Sequence, residues 1–142
     1  MMQTQGRSRL SWEDTAIRLA FDIARYRSED PNTQVGACAI KYDDSIILGY
    51  NGAPSKIDID WSNRESKRVR VLHAEANVLN YVKPGEVKIL AVTHLPCVEC
   101  LKVIKMKKIT NVFYSVRLEH WEPQKSFEIA GEFGIMLTQI SI

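Results

Sequence analysis

Apolar residues at Ala16, Leu19, Ala20, Ile23 and Ala24 recur at helical spacing and predict an amphipathic helix from Trp12 to about Tyr26. Ser11 stands before it as an N-cap, with Glu13 and Asp14 in the first turn, where the positive helix end favours acids. Asp30-Pro31-Asn32 breaks the helix, and the pattern changes. Val35 to Ile40 is an apolar, β-capable run, Asp43-Asp44 makes a turn, and Ile46 to Tyr50 completes a predicted hairpin. Residues 51–70 mix Gly, Pro, Ser, Asp and Asn with little periodicity, which predicts a long loop with room for one helical turn. A helix from Ala74 to Tyr81 follows, ended by Pro84-Gly85, then a strand from Lys88 to Thr93. A turn at Pro96 opens a helix to about Lys107, and Asn111 to Ser115 is the next strand. Pro123 to Gly131 reads as a helix and Gly134 to Ile140 as a last strand. From residue 88 onward the order is β-α-β-α-β, so the expected class is α/β, a sheet covered by helices. The expected organisation is a short disordered lead over residues 1–10 and one domain over 11–142.

Composition narrows the class. A chain of 142 residues, 45% hydrophobic and 25% charged, suits a single globular domain. A formal charge of +2 is too small to argue for nucleic acid or membrane as a partner. No run approaches the roughly 18 apolar residues of a membrane span. Met1 to Arg9 is polar and lacks the apolar core of a signal peptide. Three cysteines make poor material for a disulfide framework, which points to a reducing, cytoplasmic setting.

The chemistry lies in two segments, His73-Ala74-Glu75 and Pro96-Cys97-Val98-Glu99-Cys100. His73, Cys97 and Cys100 offer an imidazole and two thiolates, a set that suits one tetrahedral zinc ion per chain and leaves its fourth position open for a water. Glu75 is the carboxylate placed to take that water's proton, the catalytic residue. A closed structural site would need a fourth side chain, for which Cys38, His94 and His120 are the candidates. Cys38, inside an apolar strand, reads instead as a small buried hydrophobe. Gly36 marks either a close approach of a ligand to the backbone or a bulge. Asn51-Gly52 is by itself a turn signal. Lys67, Arg68 and Arg70, like Lys102, Lys105, Lys107 and Lys108, read as solvated faces.

H-x-E followed by P-C-x-x-C is the signature of the zinc nucleobase deaminases. Arg27-Ser28-Glu29-Asp30-Pro31-Asn32-Thr33-Gln34-Val35-Gly36-Ala37 and Gly49-Tyr50-Asn51-Gly52-Ala53-Pro54 narrow the resemblance. From the first helix to about Ser115 the chain resembles the deoxycytidylate (dCMP) deaminases of the zinc-dependent cytidine/deoxycytidylate deaminase superfamily. The resemblance implies a three-layer α/β/α sandwich, with helices on both faces of a mixed five-stranded sheet. It implies hydrolytic deamination of dCMP to dUMP, with substrate contacts at Asn51, at the Ala74 backbone, and at Arg27 and Ser28 for the 5′-phosphate. Family members are typically hexamers under dCTP and dTTP control, with Mg2+ accompanying the nucleotide, so Tyr50, Asn51 and Gly52 are expected at an effector site. The chain departs from the family at Ser115-Val116-Arg117, where Ser-Asp is usual. The competing classes are a deaminase of another nucleotide, nucleoside or tRNA base, and a zinc-stabilised binding module without catalysis.

Overall fold

The computed structural model describes residues 6–118 and 122–142. Of the expected lead, residues 1–5 lie outside the described residues, while 6–10 are exposed and carry no helix or strand. Helix α1 runs Trp12–Arg27, capped by the Ser11 side chain, which accepts from the Asp14 backbone N–H. Strands β1 (Gly36–Lys41) and β2 (Ile46–Tyr50) form the predicted antiparallel hairpin. After helix α3 (Ala74–Leu79), strand β3 (Val87–His94) pairs antiparallel with β1. Helix α4 (Val98–Met106) leads to β4 (Asn111–Val116), and helix α5 (Pro123–Phe133) to β5 (Met136–Gln139), each new strand running parallel to its neighbour. The sheet order is β2-β1-β3-β4-β5, mixed and five-stranded as expected.

Strand periodicity divides the core in two. On β1, Ala37 and Ala39 face one side while Cys38 and Ile40 face the other, and on β3 Leu90 and Val92 alternate with Ile89 and Ala91. The first set packs against Val78 and Leu79 of α3, Leu101 and Ile104 of α4 and Ala130 of α5. The second packs against Ala16, Ile17 and Ala20 of α1. Gly36 answers the question its sequence raised. A Cβ there would lie 2.0 Å from the Ala20 carbonyl oxygen, so the close approach is that of α1 and not of a ligand.

One element departs from expectation. Residues Arg64–Arg70 form helix α2, two turns inside the predicted loop, with Asn63 accepting from the Ser66 backbone N–H as its N-cap. None of its residues is buried, so it leaves no hydrophobic period for a sequence pattern to show. Among the described residues, no helix is long and apolar enough to cross a membrane.

Candidate metal and active site

The site forms where α3 and α4 begin on the same face of the sheet. His73 is the N-cap residue of α3, and Cys97 that of α4. Neither side chain closes its own helix end, which leaves both free to point outward. Several contacts fix the α3 end. Gly52 and Leu72 exchange backbone hydrogen bonds of 3.1 and 2.8 Å, and Asn77 Nδ2 donates to the Tyr50 carbonyl at 3.0 Å. Gly49 lets α3 lie flat on β2, since a Cβ there would sit 2.6 Å from Val78 Cγ2 and 3.0 Å from the Ala74 carbonyl oxygen. The α4 end is held by the Leu95 N–H, which donates to the Val116 carbonyl at 2.8 Å, and by the Ser126 hydroxyl, which donates to the Pro96 carbonyl at 2.8 Å.

This arrangement brings His73 Nδ1 to 3.3 Å from Cys100 Sγ and 3.6 Å from Cys97 Sγ. Zinc bonds of about 2.0 Å to nitrogen and 2.3 Å to sulfur, at the tetrahedral angle, put those atoms about 3.6 Å apart. The three ligand atoms all lie within 4.8 Å of one another. The donor set and its spacing therefore fit zinc with three protein ligands and one position to spare. No fourth side chain joins the group among the described residues. Cys38 is buried on the α1 face, His94 lies at the end of β3 with its Nδ1 2.7 Å from Thr93 Oγ1, and His120 falls outside the described residues.

The electrostatics agree with a metal-ligating role. Hydrogen bonding from the Cys100 thiol, reinforced by His73, draws the Cys97 thiol down to about 4. The same hydrogen bond, together with burial, holds the Cys100 thiol well above its ordinary value. Of the two thiols Cys97 is the one poised to ionise, and a bound cation would favour both thiolates. Hydrogen bonding to Cys97 raises the His73 imidazole above its usual value. Glu75 is 4% exposed, and burial pushes its carboxyl above the usual carboxylate range while His73 pulls the other way.

A cavity of about 310 Å³ opens beside the group. His73, Ala74, Glu75 and Cys97 line one part of it, Thr33, Val35 and Asn51 contribute wall, and α2 supplies Arg64, Lys67 and Arg68, followed by its C-cap residue Val71. Of the residues expected at the substrate, Asn51 and Ala74 reach this cavity. The Asn51 amide is already engaged. Its Oδ1 accepts from the Ser28 hydroxyl at 2.5 Å and the Val35 N–H at 3.0 Å, and its Nδ2 donates to the Thr33 carbonyl at 2.9 Å. Asn51 therefore holds the α1–β1 connection against β2 while forming part of the wall. Arg27 and Ser28 are not among the lining residues, and the Arg27 guanidinium lies 6.0 Å from the centre of the Tyr50 ring. Lys67 and Arg68 stay on a face that buries nothing, as their sequence suggested, and that face also borders the cavity.

Comparison with known proteins follows the same lines. Residues 10–116 match the family model described as the cytidine and deoxycytidylate deaminase zinc-binding region. The chain is similar to the human deoxycytidylate deaminase, 34% identical over 116 residues that cover 74% of this chain and 65% of that protein. The match thus spans a little under two thirds of that relative's length. An uncharacterized deaminase in the luxG 3′ region of Aliivibrio fischeri is 37% identical over 105 residues, covering 72% of this chain and 71% of that one. Among solved structures, the dCMP deaminase of cyanophage S-TIM5 in apo form superposes with a TM-score of 0.71 at 24% identity, covering 90% of this chain and 96% of that one. The cytidine deaminase of Burkholderia pseudomallei gives a TM-score of 0.52 at 22% identity, covering 72% and 83%. These two structural likenesses establish the fold.

Proposed function

The chain belongs to the family of the cytidine and deoxycytidylate deaminase zinc-binding region, and on that premise we propose that it hydrolyses dCMP to dUMP and ammonia. One observation carries the proposal: the buried Glu75 carboxyl opens onto the same cavity as the His73 and Cys97 side chains. The human relative named deoxycytidylate deaminase supports dCMP as the substrate. A cyanophage protein of the same fold, solved in complex with dCMP and dUMP, is consistent with that choice.

His73, Cys97 and Cys100 would hold a zinc ion. When bound, it would supply Lewis acidity toward the attacking water. Glu75 carries the proton. It accepts one from the attacking water and delivers it to N3 of the cytosine as the hydroxyl oxygen adds to C4, then takes the remaining hydroxyl proton and passes it to the amino group, which leaves as ammonia as the C4 carbonyl forms. Burial suits Glu75 to both directions of transfer, because a carboxyl held above its usual range takes up a proton more readily than an ordinary one and lies closer to neutral pH, where a group can both accept and return it. The first-turn N–H groups of α3 have no partner within the helix, so the Ala74 end can donate to the pyrimidine carbonyl. The Asn51 wall positions the sugar.

The regulatory part of the resemblance extends this proposal: dCTP and dTTP with Mg2+ act at Tyr50, Asn51 and Gly52 of a hexamer working in the cytoplasm. Light scattering with and without dCTP and Mg2+ measures that assembly. The reaction is tested by ammonia release from zinc-loaded protein given dCMP, CMP, deoxycytidine and dCTP separately. The expected result is turnover of dCMP in preference to the rest. Turnover of another compound in its place would reassign the substrate, and inactivity toward all four at full zinc content would overturn the proposal.

A further inference from the structure

Ser126 is a polar residue at a place where packing alone would call for an apolar one. It sits in the first turn of α5, beyond the residues 10–116 that match the family model, and it is 1% exposed. A hydroxyl hidden this deeply is costly unless it is hydrogen-bonded. Its Oγ donates to the Pro96 carbonyl at 2.8 Å, across 30 residues of sequence. Pro96 precedes Cys97, and because proline has no N–H, that carbonyl is the only backbone group it offers as an anchor. The same carbonyl belongs to the peptide plane that holds the Cys97 nitrogen. Fixing the plane fixes the backbone from which the Cys97 thiol projects.

This anchor matters because α4 lacks the usual one. Cys97 is the N-cap of that helix, yet its side chain makes no capping hydrogen bond and lies instead 3.6 Å from His73 Nδ1. A polar side-chain cap normally steadies a helix start, whereas this start is held from outside. The Leu95 N–H ties the turn to β4 through the Val116 carbonyl, and Ser126 ties the next residue to α5. Helix α5 is itself braced on the sheet, with the Phe127 ring centre 6.2 Å from that of Tyr114 on β4 and Ala130 in the core. One hydroxyl therefore connects a rigid layer to the residue ahead of the thiol.

We propose that Ser126 is a positioning residue of the metal site, which holds Cys97 in the direction ligation requires and so sets the affinity for zinc. The assignment rests on the zinc-dependent reading above. It gives α5 a part in a centre whose three ligands come from α3 and α4. Groups that orient metal ligands from behind change affinity or activity by about 10–100-fold when they are lost.

The test titrates metal-free wild type, S126A, S126T and A130G with Co2+ under reducing conditions, and competes each against a chromophoric chelator for zinc. S126A deletes one oxygen and installs a better helix former, so the fold should survive it. A130G controls for general weakening, because it thins the core on the same helix and leaves the Ser126 hydroxyl in place. S126A should bind zinc about 10–100-fold more weakly than the wild type, with an altered cobalt–thiolate absorption spectrum. S126T restores the donor and should recover the affinity, while A130G should keep it whatever its urea midpoint. Wild-type affinity and spectrum in S126A would overturn the assignment, as would an equal loss in S126T or A130G. A wild type that takes up neither ion would instead sink the zinc reading, and this assignment with it.

Discussion

Glu75 owes its place at the cavity to where α3 begins. One residue earlier or later on that short helix, its carboxyl would leave the cavity that His73 also lines. Glu75→Gln keeps the shape and removes the proton carrier, so activity should fall by about 100-fold to 10,000-fold, the usual range for general acid–base catalysis. Zinc content measured on the same sample should be unchanged, and a variant that lost its zinc would give Glu75 a structural part instead. The three cysteines make a second residue-level contrast. With zinc stripped by a chelator, Cys97, drawn down to about 4, is already a thiolate at pH 6. Its alkylation rate should therefore be nearly flat from pH 6 to 8, whereas an ordinary thiol near pKa 8.5 would speed up about tenfold per unit. Cys38, pushed up to about 12 by burial on the α1 face, should not react until the protein unfolds. Mass spectrometry of quenched samples reads both, and labelling of native Cys38 at pH 8 would contradict its assigned place. His73, Glu75, Cys97 and Cys100 were legible as a set because their chemistry is written in residue type and short spacing. The company kept by Asn51 was not, since its partners Ser28, Thr33 and Val35 stand 16 to 23 residues away.

Elements show the same division between local and distant causes. The hairpin of β1 and β2 and the helices α1, α4 and α5 were predicted because each carries its own period, break or cap. Helix α2 was not. It lacks a buried face, and its row of Arg64, Lys67 and Arg68 has meaning only once the cavity is seen behind it. With no apolar face, α2 depends on other attachments, and the pairing of Lys67 with Asp30 is the chief one. Asp30 is 1% exposed and also accepts from the backbone N–H groups of Asn32 and Thr33, at 2.8 and 3.3 Å. Lys67→Met would leave that carboxylate buried without its counter-ion. Stability should drop by about 1–3 kcal/mol, below the full cost of a dry ion pair because Lys67 keeps some water. Urea unfolding measures the loss, and susceptibility of the 64–70 segment to protease should rise in parallel. Asp30→Asn combined with Lys67→Met should recover much of the stability, since neither charge is then stranded. A double variant as unstable as the single one would show that the pair does not hold α2.

At the scale of the whole molecule, the sheet keeps two cores apart, and the proposed zinc site belongs to one of them. The proposed ligands come from the start of α3 and the start of α4, and both helices pack on the same face as α5, while α1 covers the other. Binding therefore ties together two segments more than twenty residues apart in sequence, and it stabilises the folded chain in proportion to its occupancy. At free zinc about a thousandfold above its dissociation constant, that linkage is worth about 4 kcal/mol, enough to lower the melting temperature plainly on chelation. The effect should be lopsided. Amide hydrogen exchange should quicken in residues 72–79 and 97–104, where the ligands anchor helix ends that have no side-chain caps of their own. Amides in α1 and in the hairpin should keep their protection, because the contact of Gly36 with Ala20 and the α1-face cluster do not involve the metal. Uniform loss across both faces would mean that the sheet transmits the loosening and that the protein folds around its ion as one unit. Loss confined to α3 and α4 would mean that the fold stands on its hydrophobic layers and that zinc serves chiefly to hold His73, Cys97 and Cys100 in place for the chemistry.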